Sequence, residues 1–158
     1  MIDKYKQLTN DKKFKSWKEK HKDAYLCSVF TLKDEEKSSG WQFDYYLSKK
    51  NRMTTFIVGN DIKLNDNQKI FSKSDKIDEI DLKDVKFSFD DVVKLFKPKY
   101  KDKNFVKEII IIQSLDKKLL WNVSLVTSDF YLINLKVDAV NGKILEETSS
   151  SLIQFKTS

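Results

Sequence analysis

Between residues 41 and 47 apolar and polar side chains exchange places at almost every step: Trp41, Phe43, Tyr45 and Leu47 against Gln42, Asp44 and Tyr46. A period of two sends one set to one face of a pleated strand and the other set to the opposite face. The alternation returns in Trp121, Val123 and Leu125 against Asn122 and Ser124. It returns again in Tyr131, Ile133, Leu135 and Val137 against Asn134, Lys136 and Asp138. Half-buried strands of this kind belong to antiparallel sheets with one covered face. Ala24 to Leu32, the β-branched run Met53 to Val58, and Phe105 to Leu115 read as further strands, the last buried on both sides at its centre. In the first of these, Leu26, Phe30 and Leu32 share one parity, with Cys27 and Val29 on the other. Short polar turns at Ser48–Arg52 and Ser128-Asp129 leave no room for parallel crossovers.

Two segments carry helical spacing. Phe14, Trp17 and His21 lie at i, i+3 and i+7 after the capping candidates Thr9 and Asn10, with Tyr5 and Leu8 forming an earlier turn on the same side. Val92, Val93, Leu95 and Phe96 follow the capping candidates Ser88 and Asp90, and Pro98 closes that helix. The expected class is therefore α+β, mainly an antiparallel β-sheet with two principal helices and no parallel Rossmann-type sheet. One compact domain over 1–158 divides into a helix-plus-sheet unit at 1–60, a connector at 61–87 and a second unit at 88–158. The connector is rich in Asn, Asp, Lys and Ser, with isolated apolar residues such as Ile62, Phe71, Ile80 and Leu82, so it is expected to carry a short strand or helical turn and to pack on a neighbour.

The halves superpose without a gap at an offset of 80 residues, which lays Trp41 on Trp121, Phe43 on Val123, Thr55 on Leu135 and Ile57 on Val137. Paired tryptophans opening equivalent hairpins suggest a duplicated unit, and both are expected to be largely buried. Asn141-Gly142 reads as a two-residue hairpin turn, because both positions of that turn need positive φ. Ile144 and Leu145 break the alternation that follows, which predicts a bulge beside the turn and a short final strand.

Only three glycines, scattered singly at 40, 59 and 142, stand in the chain. A phosphate-cradling loop needs several together, so the familiar nucleotide-binding loops are excluded. One cysteine, Cys27, and one histidine, His21, allow neither an internal disulfide nor a His/Cys metal cluster. Cys27 reads as a small apolar strand residue and His21 as the continuation of an aromatic helix face. Acidic groups such as Asp34-Glu35-Glu36 and Glu146-Glu147 fall in loops or at element ends, where solvated charge explains them. Neither catalysis nor a cofactor or metal is expected. The longest aliphatic run, Ile109 to Ile112, falls far short of the roughly 20 residues that span a bilayer. The charged start Met1-Ile2-Asp3-Lys4 lacks a signal-peptide core, so a soluble cytoplasmic protein is expected unless a signal has been removed.

The net charge of +6 is unevenly spread. Eight lysines stand in residues 1–22 against Asp3, Asp11 and Glu19, and five in residues 97–107 against Asp102. An anionic partner, nucleic acid or a charged surface, would meet Lys12, Lys13, Lys15, Lys18 and Lys20 together with Lys97, Lys99, Lys101 and Lys103. Against this stands the single arginine, Arg52, beside 29 lysines, since bidentate phosphate and base contacts favour arginine.

Phe89-Asp90-Asp91-Val92-Val93, the strand Trp121-Asn122-Val123-Ser124-Leu125 and the closing run Val137-Asp138-Ala139-Val140-Asn141-Gly142-Lys143-Ile144-Leu145 together resemble a PepSY-type domain over about residues 87–147. In that family a helix opened by an acidic cap is followed by a strand, an aromatic-led hairpin and a glycine–lysine turn. The first half, where Ile57-Val58-Gly59-Asn60-Asp61 lacks the aspartate–alanine pair and the glycine–lysine turn, would be a diverged copy. The resemblance implies a non-catalytic module with inhibitory or binding roles, often beside peptidases or outside the cytoplasmic membrane. A binding or regulatory module is accordingly expected, engaging an unidentified protein partner through a sheet face or edge, with nucleic acid as the alternative. Gln42, Asp44 and Tyr46, on the outward parity of an aromatic hairpin, are the candidate contacts; the oligomeric state is left open.

Overall fold

The computed structural model describes residues 1–34, 39–70 and 77–153. Glu35, Glu36, Phe71 and the polar tail beyond residue 153, all named in the sequence reading, lie outside the described residues. Among the described residues eight strands form one antiparallel sheet: β1 (Ala24–Asp34), β2 (Trp41–Leu47), β3 (Arg52–Val58), β4 (Ile62–Lys69), β5 (Phe105–Leu115), β6 (Lys118–Thr127), β7 (Tyr131–Asp138) and β8 (Ile144–Ser151). Their order is β4-β3-β2-β1-β5-β6-β7-β8, so each half is a meander and the halves join where β1 pairs with β5. Helices α1 (Ile2–Asn10), α2 (Lys12–Lys20) and α3 (Phe89–Phe96) supply the side chains that cover one face.

The count of helices corrects the expectation of two. The chain breaks at Asp11, which adopts extended φ/ψ of −68° and 136° and accepts hydrogen bonds on its carboxylate from the Lys13 N–H at 2.8 Å and the Phe14 N–H at 3.0 Å. Aspartate is among the strongest N-caps, and it starts a new helix where Thr9 and Asn10 were expected to cap one. The two axes then bring Leu8, Phe14 and Trp17 onto the sheet together. Tyr5 packs on Phe43 with ring centroids 5.4 Å apart, and Phe14 and Trp17 meet Phe56 edge-on at 5.1 and 5.0 Å. Edge-to-face aromatic pairs add about 0.5–1.5 kcal/mol each beyond their burial. At α3, Ser88 and Asp91 form a reciprocal capping box, with Asp91 in the place assigned to Asp90.

Covered-face residues from both halves belong to one hydrophobic cluster: Val29, Phe43, Tyr45 and Phe56 from the first, Ile110, Ile112, Trp121, Val123, Leu125, Ile133 and Leu135 from the second. The connector carries both a strand and a helical turn, and it packs on its neighbours. Residues 62–69 are a full strand on the β3 edge, Leu82–Asp84 make a 3-10 turn, and Ile80 is buried with its N–H donated to the Leu26 carbonyl at 2.8 Å. Polar residues at an exposed edge strand give little alternation signal, which is why the sequence leaves the bounds of this strand open.

Bulges explain where the sequence parity fails. One extra residue in β1 between Leu26 and Ser28 turns the strand over. Leu26 lies on the covered face before it, while Val29 and Thr31, not Phe30 and Leu32, occupy that face after it. The gapless superposition breaks too. Phe43 pairs with Phe56 and Val123 pairs with Leu135, so the counterpart of Leu135 is Phe56 rather than Thr55. Trp121 is 1% exposed and donates its indole N–H to the Phe87 carbonyl at 2.8 Å. Trp41 is only half-buried.

The turn after β7 is also longer than expected. The Gly142 N–H bonds to the Asp138 carbonyl at 2.9 Å and the Asp138 N–H to the Lys143 carbonyl at 2.9 Å, so the loop spans Ala139 to Lys143. Of the anticipated pair only Gly142 takes a positive φ, at 75°. Asp138 explains the change: its carboxylate accepts from the Val140 and Asn141 N–H groups and stabilises a wider turn. The expected bulge is present, with Leu145 the extra residue between the pairs Lys136–Glu146 and Val137–Ile144. The final strand is not short; it runs eight residues.

Candidate binding cleft on the helix-free sheet face

Because the covered-face set follows a period of two, the alternate residues face the other way. In β1 and β5 these are Phe30, Leu32, Ile109 and Ile111, all half-buried, with Phe30 opposite Ile111 and Leu32 opposite Ile109. In β2 they are Gln42, Asp44 and Tyr46, the three residues singled out from the sequence.

Gln42 and Asp44 line a cleft of about 590 Å³. Its floor is β1, β2, β3 and β5, through Cys27, Ser28, Met53, Thr55 and Gln113, and its rim is residues 68–70, 77–78 and 114–115. Asp44 sits half-buried and accepts a hydroxyl hydrogen bond on each oxygen, from Ser28 and from Thr55, both at 2.6 Å. Those two hydroxyls stand opposite Asp44 on the neighbouring strands, so the register itself assembles the triplet. Among the described residues, no hydrogen bond engages the side-chain amides of Gln42, Gln68 and Gln113. Each therefore offers a free carbonyl and two free N–H donors to the cleft. Met53, Ile70, Ile77 and Leu115 supply its apolar surface. Tyr46 stands outside the cleft lining: its ring packs edge-on against Tyr25 at 5.4 Å and its hydroxyl donates to Asn51 Oδ1 at 3.0 Å.

Cys27, the bulge residue, is buried, and its thiol faces the Asp44 carbonyl at 3.3 Å and the Met53 sulfur at 3.5 Å. Burial, and after it the charge of Asp44, pushes its pKa up to about 12, so a thiolate is not available near neutral pH. His21 instead stacks with Trp17, centroids 5.1 Å apart. Among the described residues no group of three His, Cys, Asp or Glu side chains is arranged to hold a metal ion. No helix among them is long and apolar enough to cross a membrane.

The two lysine groups do not converge. The helix bearing Lys12, Lys13, Lys15, Lys18 and Lys20 packs on β2 and β3 through Phe14 and Trp17. The 97–103 segment lies against β7 and β8, five strand spacings away or roughly 24 Å. Lys99 pairs with Glu147 at 2.7 Å, Lys103 pairs with Asp129 and lies over the Tyr131 ring, and Lys18 donates to the Ala24 carbonyl. Lys97 and Lys101 are exposed.

Parity in the sequence identifies Gln42 and Asp44 but not their neighbours. Gln113 closes a strand dominated by isoleucines, and Gln68 falls in the segment read as connector; only the pairing of β1 with β5 and β3 with β4 brings them to the same place.

No family model matches the chain, and a comparison with curated proteins finds no match. Among solved structures, the chain is similar to the crystal structure of "a putative lipoprotein (CD1622) from Clostridium difficile 630". The TM-score is 0.58 at 14% identity, over 87% of this chain and 90% of that one. At that identity the likeness is one of fold.

Proposed function

We propose that this chain is a non-catalytic binding or regulatory module that holds an extended segment of another protein against its helix-free sheet face. The observation that carries the reading is that three unengaged glutamine amides and Asp44 line one cleft. Amide carbonyls and N–H groups match the alternating donors and acceptors of peptide backbone, and the Met53, Ile70 and Leu115 surfaces suit intervening apolar side chains. The apolar strip formed by Phe30, Leu32, Ile109 and Ile111 continues away from the cleft and lengthens the surface for such a segment.

The PepSY-like character of residues 87–147 and the duplication of the unit belong to this proposal. Support comes from the succession of helix and four-stranded meander in each half and from the wide Asp138–Lys143 turn, where the family's glycine–lysine step falls. A peptidase-related partner follows from that resemblance. On location, the expected cytoplasmic setting competes with an extracytoplasmic one, which the similarity to a chain described as a lipoprotein favours. Fractionation of the source cells with an antibody to the native protein decides between them.

The binding reading is tested with the purified chain as bait for a displayed peptide library. Enriched peptides are expected to lose at least tenfold in affinity for a Gln42→Ala/Gln113→Ala variant and to keep it when Lys12, Lys13 and Lys15 become Gln. Peptides indifferent to the glutamines and dependent on the lysines would overturn the assignment of the cleft.

A further inference from the structure

The two edges of the sheet differ. The β4 edge carries Lys63 and Lys69 and an extra residue opposite the step from Met53 to Thr55, the devices that keep an edge from pairing with another chain. The β8 edge, with sequence Ile-Leu-Glu-Glu-Thr-Ser-Ser-Ser, carries no lysine and no proline, and its only irregularity is at Leu145, at its very start. Its two carboxylates are already neutralised within the chain, Glu146 by Lys136 and Glu147 by Lys99 and the Tyr100 hydroxyl. Exposed apolar side chains gather at its two ends: Val140 (50% exposed), Ile144 and Leu145 at one, Phe130 (60%) and Ile153 (62%) at the other.

We infer that β8 is a self-association edge, at which a second copy of this chain pairs antiparallel to build one continuous sheet across a two-fold axis. A two-fold interface sets each end of the edge against the opposite end of its mate. That operation alone brings Ile144, Leu145 and Val140 over Phe130 and Ile153 of the second copy. The hydrogen-bonding groups are in place. The Leu152 N–H bonds to the Phe130 carbonyl, and antiparallel alternation then points Ser150, Thr148 and Glu146 toward β7 and leaves the N–H and C=O groups of Glu147, Ser149 and Ser151 facing outward. Pairing Glu147 with Ser149 of the second copy uses these groups, sets Glu146 against Ser150, keeps carboxylates off carboxylates and places Thr148 on the axis. The surface is separate from the cleft, so its test is independent of the peptide-binding reading.

Sedimentation of the intact chain is expected to show a concentration-dependent dimer. Ser149→Pro removes only an outward N–H and leaves the β7 ladder intact, and with Leu145→Lys it should raise the dissociation constant at least tenfold while far-ultraviolet circular dichroism stays unchanged. On the axis, in a non-hydrogen-bonded pair, Cα atoms lie about 4.5 Å apart, within disulfide range. Thr148→Cys should therefore cross-link under diamide, whereas Ser150→Cys, displaced by four residues and roughly 13 Å, should not. Buried Cys27 leaves the background silent. A chain that stays monomeric at roughly millimolar concentration, or that cross-links equally at both cysteines, overturns the inference.

Discussion

Gly142 tests the account of the β7–β8 turn at one atom. An alanine Cβ built there falls 2.5 Å from Phe87 Cε2 and 2.7 Å from Cδ2 and Cζ, on a backbone whose φ is 75°. Two costs follow. The left-handed conformation is disfavoured for a residue with a Cβ by roughly 1–2 kcal/mol. The Phe87 ring must also turn away. The Phe87 N–H bonds to the Ala139 carbonyl at 2.9 Å and its own carbonyl accepts from Trp121, so its backbone is tied to both the turn and the core and the ring has to yield by rotating about its side-chain bonds. Overpacking against such a side chain costs typically 1–3 kcal/mol, for a total of about 2–5 kcal/mol. Urea unfolding followed by tryptophan fluorescence measures it. A Phe87→Leu background separates the terms, because it relieves the clash and leaves the dihedral cost; the double-mutant cycle should show a coupling of at least about 1 kcal/mol. Gly59→Ala is the control, with nothing within 4 Å of its added Cβ, and should change stability by no more than roughly 0.5 kcal/mol. A Gly142→Ala variant as stable as that control, or no coupling to Phe87, would refute the packing of the turn on the connector.

Other outcomes follow from the same geometry. Trp121→Ala should destabilise by roughly 3–5 kcal/mol and half-buried Trp41→Ala by clearly less, read from denaturation midpoints; equal losses would restore the equivalence of the two positions. Asp11→Ala should cost about 1 kcal/mol and lower helical circular dichroism, since Asp11 alone caps α2. Cys27 should resist thiol reagents at pH 8 in the native state and react at the rate of unfolding; rapid native labelling would contradict its burial. The Asp129 carboxyl, bonded first by Lys103 and then by Thr127, and the Glu147 carboxyl, bonded by Lys99 and then by Tyr100, are both held below their usual range. Folded pKa values below the unfolded ones make this stabilisation present above about pH 4.5 and lost as pH falls. Glu147→Gln should flatten that acid limb in melting temperature against pH, modestly, because these pairs are largely solvent-screened.

Strand period and turn spacing make β2, β6 and β7 legible, because each has one face in the core and writes its burial into alternating residue types, whereas β5 is legible from its unbroken isoleucine run. The same logic fails wherever backbone geometry intervenes without a composition signal. The Cys27 bulge exchanges the faces of β1 halfway along, so parity alone assigns the wrong inward residues beyond it. β4 has little buried surface and therefore little pattern. Asp11 illustrates a third limit. Residues 10–12 all tolerate a helix, and only the carboxylate's two accepted N–H bonds decide that the chain stops and restarts there. Of the cleft, Gln42 and Asp44 could be found from parity alone, but Ser28, Thr55, Gln68 and Gln113 become neighbours only through strand register, which no local pattern encodes.

The one-sidedness of the sheet bears on the proposed binding role. All three helices contribute to one hydrophobic cluster, so among the described residues the long middle strands are helix-covered on one face only. A solvated face of an antiparallel sheet needs no apolar residues, and the centre of β6 to β8 complies through Asn122, Ser124, Asn134, Lys136 and Thr148, with Leu120, Val126 and Leu132 toward the ends of that face. The middle strands do not: Phe30, Leu32, Ile109 and Ile111 occupy the same face in adjacent register. Packing against one another explains part of their burial, yet polar residues at those positions would satisfy the ladder equally well and bring no penalty of exposure. Apolar choice at the centre, amide and carboxylate choice in the cleft, and hydroxyl choice at the far side form a graded surface. Replacing Phe30 and Ile111 together by Thr should then leave stability within about 1–2 kcal/mol, since β-branched threonine suits a strand, while abolishing capture of the peptides selected on the cleft. If the double variant unfolds the chain instead, those residues are core for the fold and the peptide surface ends at the cleft.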